Sequence, residues 1–240
     1  MKKHLALVGV LLLCLGIAAG EDTVLAIVDK SPMGSPLQNT GSVTFSETAV
    51  GAAGVAVSHR DDWTVKNISQ KPIVAMVETL SIHDQKSVSI GREARYDAFF
   101  HPTLVEPGQA ISPFSQDFLG GHAVSSKYTP LVSPLCEVTV RWVQFADGTT
   151  FGDNSYARPL FEDRTAILKA LQQLHEVYLN EGLEKFIEQL QQPVKQPVVD
   201  GYLEHIRTLQ KQGGAARAVE ALETHLNVGQ QRADLNASAH

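Results

Sequence analysis

Histidine is the residue type most able to do chemistry in this chain, and there are nine of them. Four, His59, His83, His101 and His122, fall in the stretch that reads as strands. His59-Arg60-Asp61-Asp62 gathers a base and two carboxylates ahead of one strand, and His83-Asp84 closes another. Groups of this kind within proton-transfer reach act as general acid and base. His59, Asp61, Asp62 and His83 are therefore the candidate catalytic residues. Imidazole and carboxylate also suit Zn²⁺, which makes His83, Asp84, His101 and His122 the candidate metal ligands. No spacing demands either role: there is no His-x-His, His-Glu-x-x-His or Cys-x-x-Cys. A Gly-x-Ser-x-Gly elbow and a phosphate-cradling loop are also missing. Asp147-Gly148 and Gly152-Asp153 offer too few clustered oxygens for a calcium loop and read as a hairpin. The sequence implies no cofactor, and solvated turn histidines account for the pattern equally well.

The elements that would carry these groups begin after a leader. Lys2 and Lys3 precede an apolar run from Leu5 to Ile17, and Ala18-Ala19-Gly20 follows with small side chains. That is the layout of a signal peptide over residues 1–20. The run is shorter than the roughly 20 apolar residues of a membrane span. A secreted or periplasmic protein is expected, with no membrane span once the leader is removed. Residues 21–158 then carry 15 acidic and 10 basic side chains, and residues 159–240 carry 11 and 8. Neither part is basic, so no nucleic-acid partner is implied. With Cys14 in the leader, Cys136 stands alone, and the fold must be held by its core without a disulfide. Asn67-Ile68-Ser69 and Asn236-Ala237-Ser238 match the glycosylation sequon.

Residues 21–158 read as a β-domain. Thr23 to Asp29 is a short strand, and Ile73 to Ile82 is long and β-branched, as a central strand would be. In Cys136 to Phe145, Val138, Val140 and Trp142 alternate with Glu137, Thr139 and Arg141, one dry face and one wet. Trp63 and Trp142 are expected to pack between two sheets. The run Val65 to Ile73, with its Ser69-Gln70-Lys71-Pro72 turn, resembles the strand-turn-strand pattern of exported bacterial immunoglobulin-like modules. That resemblance implies an antiparallel, immunoglobulin-like β-sandwich.

Residues 159–228 read as an all-α segment of about four helices, followed by a disordered tail over 229–240. Ile167, Leu171, Leu174 and Tyr178 form one stripe, with Gly182 as a stop; Leu183, Phe186, Ile187 and Leu190 form a second. Tyr202, Ile206 and Leu209 precede Gly213-Gly214, and Ala218, Val219, Leu222 and Leu226 follow it. Shifted by 32 residues the halves align, with Gly182 on Gly214. The period resembles that of tetratricopeptide hairpins. The reading favoured is an exported, non-enzymatic binding or assembly module, meeting a protein partner or its own copy through the helical tail. A periplasmic or extracellular hydrolase with a His/Asp acid–base pair is the alternative, and a structural cell-envelope protein a third.

Overall fold

A computed structural model describes residues 22–49, 55–84, 88–102, 104–112, 118–124 and 133–238. The leader lies outside them. Nine described strands, β1 (Thr23–Asp29), β2 (Leu37–Ala49), β3 (Val55–Asn67), β4 (Ile73–His83), β5 (Val88–Asp97), β6 (Ala110–Ile111), β7 (Phe118–Val124), β8 (Leu135–Phe145) and β9 (Thr150–Gly152), make one mixed sheet. Their order is β5-β4-β8-β1-β2-β3-β6, with β7 beside β3 and β9 beside β8.

This arrangement overturns the immunoglobulin-like sandwich, and β1 is the reason. Its first residues, Thr23 to Ala26, pair antiparallel with β2. Its last, Ile27 to Asp29, pair parallel with β8. One strand thus belongs to both halves, and the sheet curls into a half-barrel instead of parting into two layers. Trp63, Val65, Met76, Leu80, Ile82, Cys136, Val138 and Val140 fill the inside of the curl. Cys136 is buried there and forms no disulfide among the described residues.

The other face of β4 and β8 is covered by helices, so β4 is buried on both sides, as a long apolar strand requires. Trp142 lies on that helical side, with Val74 and Val77. The expected Val138-Val140-Trp142 face is broken because pairing shifts register between Val77–Trp142 and Glu78–Val140. The extra residue, Arg141, turns Trp142 away from the curl. The Trp142 ring meets Phe161 edge-on at 5.7 Å, and its Nε1 donates to Asn154 Oδ1. Asn67 is wholly buried; its amide donates to the carbonyls of Lys71 and Val105 and accepts from Ser69. The first sequon is therefore consumed by the fold, and the side chains of the second lie outside the described residues.

Three helices follow, where about four were expected: α1 (Arg158–Glu181), α2 (Leu183–Leu190) and α3 (Pro197–Ser238). Leu171, Leu174, Phe186, Leu190, Leu203, Ile206 and Leu222 pack with the β4–β8 face in one core. The 42-residue α3 is continuous except at Gly214, whose φ of 78° and ψ of −176° break the helical path. His205 and His225, twenty positions apart, would sit about 30 Å apart on a straight helix. Their rings are 5.7 Å apart, so α3 doubles back at Gly214. Gly182, between α1 and α2, has nearly the same dihedrals, φ 89° and ψ −179°. The two glycines aligned by the 32-residue shift thus share one backbone conformation. Residues 229–238 continue the helix in place of the expected disordered tail. Among the described residues, no helix is long and apolar enough to cross a membrane.

That conformation is open essentially to glycine alone. An added Cβ at Gly182 or Gly214 meets no atom within 4 Å, so only the backbone term acts. Gly182→Ala and Gly214→Ala should each lower unfolding free energy by about 1–3 kcal/mol. Gly201→Ala, helical and equally uncrowded, should leave it unchanged or raise it by up to about 1 kcal/mol. Urea unfolding midpoints of the three variants check this.

Candidate metal centre

Three imidazoles meet where the helices join the sheet. His101, His205 and His225 place one ring nitrogen each within 4.8 Å of the other two. The His101 and His225 rings are 4.8 Å apart at 68°, and those of His205 and His225 stack 12° from parallel. Three separate segments supply them. His101 ends the turn after β5, where its N–H donates to the Ala98 carbonyl at 2.9 Å. His205 lies on the first limb of α3, before the Gly214 bend, and His225 on the second.

The turn is fixed from three directions. Ala98 N–H donates to Val74 O on β4. The Asp97 carboxylate accepts the Phe99 N–H and is gripped in turn by Arg164. Arg232, on the last turns of α3, donates to the carbonyls of both Ala98 and Phe99. His225, Gly229 and Arg232 share one face of the helix, being four and three residues apart. They meet His101, Phe100 and the Ala98–Phe99 carbonyls in that order. Gly229 is needed for the close approach: a Cβ there would stand 2.5 Å from the Phe100 ring. The stretch expected to be disordered is what seats His101.

Tyr202, one turn before His205, bonds through its hydroxyl to His225 Nδ1 at 2.8 Å. With Nδ1 so occupied, His225 Nε2 is left as the ligand atom. Burial pushes the Tyr202 hydroxyl well above its ordinary range, so it stays a neutral partner. His205 is exposed and His225 buried, which gives the trio a wet side and a dry side. Burial, then the neighbouring imidazoles His101 and His205, lowers His225 to about 4. Burial and His205 also lower His101. Both rings are thus neutral near pH 7, the form that coordinates a metal. Zn²⁺ with Zn–N bonds of 2.0–2.1 Å needs nitrogens about 3.3 Å apart.

Of the four ligands expected from sequence, the structure brings His101 alone to this place. His83 and Asp84 lie at the opposite end of β4 from Val74, nine residues or about 30 Å along the strand. His83 Nε2 instead pairs with Glu137 at 3.1 Å. The Asp84 carbonyl, then Glu137, raises its pKa. His122 sits on β7, opposite Val57 of β3; its side chain lies outside the described residues. So do the side chains of His59 and Asp61, while Asp62 is exposed on β3. Asp147 forms the hairpin turn, accepting from the Thr149 N–H and hydroxyl. His205 and His225 stand in the helical segment, where no spacing in the sequence ties them to a β-part histidine. The one linear clue, Tyr202-x-x-His205 on a helical face, says nothing of a third imidazole beyond a reversal. No protein-family model matches the chain, and no curated protein or solved structure matches it.

The unfolded chain protonates its histidines near pH 6.5. In the folded protein His225 resists until about 4, and His101 is shifted the same way. Their contribution to stability is full above pH 6.5 and is lost as pH falls toward 4. With a chelator present, the stability difference between wild type and His225→Gln should move against the wild type between pH 7 and pH 5. Thermal unfolding of the two proteins in parallel measures it.

Proposed function

We propose that this protein is an exported, non-enzymatic binding module whose ligand is a divalent transition-metal ion held by His101, His205 and His225. The observation that carries the reading is the convergence of three imidazoles from a sheet turn and both limbs of a doubled-back helix. An all-imidazole set favours zinc, copper or nickel over magnesium or calcium, which prefer oxygen. The exposed side at His205 leaves a direction for exchange with solvent. Three segments fixed by one ion would also brace the helical layer against the sheet. Export rests on the leader sequence.

Most of the apolar stripe residues of α1, α2 and α3 pack on one another and on β4 and β8 in one core. That weakens the motive for self-association or a protein partner on this layer, and the assembly role takes second place to ion binding.

Equilibrium dialysis with Zn²⁺ and visible spectroscopy with Co²⁺ at pH 7.5 test the proposal. One ion per chain is expected, lost in the His101→Ala, His225→Ala double variant. Tyr202→Phe, which keeps the ring and drops the hydroxyl, should weaken binding about 10- to 100-fold with little change in thermal stability. Binding that survives the double variant, or no binding at micromolar ion, overturns the reading. Ester hydrolysis by the loaded protein, abolished in His205→Ala, would replace the non-enzymatic reading with the hydrolytic one.

A further inference from the structure

A second polar cluster lies inside the curl of the sheet and is independent of the histidines. Glu78 on β4 is 1% exposed and Asn39 on β2 is 5% exposed. Their strands are not neighbours, since β8 and β1 stand between them in the sheet. The contact therefore spans the interior. Asn39 Nδ2 donates to Glu78 Oε1 at 3.0 Å. The remaining two atoms, Asn39 Oδ1 and Glu78 Oε2, are both buried and both lack a partner.

With an ionised carboxylate this is a poor arrangement. Two acceptors would face an apolar core, and a charge would stand with no counter-ion. Among the described residues, the strands around the pair supply none. Opposite Glu78 stand Val140 on β8 and Ala94 on β5. Val65 on β3 stands opposite Asn39. The charged group that does face the pair is Asp29 on β1, another anion, whose carboxylate takes the Asn39 N–H. One proton resolves every difficulty at once. On Oε2 it turns an orphan acceptor into a donor, and the other orphan, Asn39 Oδ1, is the acceptor it needs.

We propose that Glu78 is held as a neutral carboxylic acid, doubly hydrogen-bonded to the Asn39 amide, and that this proton clamps β2 to β4 across the half-barrel. Burial, its largest influence, raises the Glu78 carboxyl to about 7, against the pull of the Asn39 bond. The unfolded chain gives up this proton near pH 4.5, and the folded chain keeps it to about neutral. Stability from the clamp is full below pH 4.5 and is lost as pH rises through 7. The half-barrel therefore loosens in alkali, opposite in sign to the histidine trio.

Glu78→Gln is the test, because a glutamine keeps the shape and can make both bonds without a titrating proton. Its folding equilibrium relative to wild type should improve on the order of 10- to 100-fold between pH 5 and pH 8. Infrared difference spectra of wild-type protein, needing no variant to fold, should show the Glu78 carbonyl as protonated acid at pH 5.5 and as carboxylate by pH 9. Parallel pH profiles for the two proteins, or a carboxylate signal from Glu78 already at pH 5.5, would overturn the proposal.

Discussion

Arg164 is the buried cation on which the junction of sheet and helices depends. It rises from α1 and is 4% exposed. Its Nε and Nη2 grip the two oxygens of Asp97 at 2.9 Å, and Nη1 donates to Gln144 Oε1 at 2.7 Å. The guanidinium also lies 4.2 Å from the centre of the Phe99 ring. A lysine has no planar fork to reach both partners and a ring face at once. Burying such a charge is costly, and the return is as much one defined arrangement as net stability. Here the arrangement has a consequence downstream. Asp97, once gripped, sets the turn that carries His101. The candidate metal centre thus begins at a salt bridge that holds none of its three imidazoles.

Arg207 plays a comparable part at the other end of the helical layer. Its guanidinium donates to the Leu190 and Gln192 carbonyls, closing the end of α2 and the turn after it. It also pairs with Asp200 at 2.9 Å, and that carboxylate accepts the Val194 N–H. Carbonyls left over at a helix end need such donors when water is scarce. Two buried arginines therefore do for the helices what a disulfide cannot do in a chain with one buried cysteine.

Local pattern was legible in the sequence wherever one residue's neighbours decided its state. Thr23–Asp29 and the Gly182 stop follow from alternation and from glycine's permissiveness, and both stand as read. Pairing was not legible, because alternation says which face is dry and not which strand lies alongside. Nothing in Thr-Val-Leu-Ala-Ile-Val-Asp announces that its two ends serve different partners. The bulge at Arg141 adds one residue that no composition rule marks, and it sends Trp142 to the opposite core. Of the candidate site, His101 was legible as a residue type and its companions were not. His205 and His225 become neighbours only through a reversal at Gly214 and through sheet contacts made by residues that read as a polar, unstructured end.

The way the second limb of α3 meets the Ala98–His101 turn limits what evolution can do with this chain. His225, Gly229 and Arg232 interlock with the turn as a key's teeth meet a lock's pins. The helix cannot screw forward without driving a side chain into the Phe100 ring. Adding or deleting a single residue between Gly214 and His225 would swing the whole toothed edge by about 100°. Homologues should therefore vary at the exposed positions of that stretch, keep its buried ones apolar, and hardly change its length.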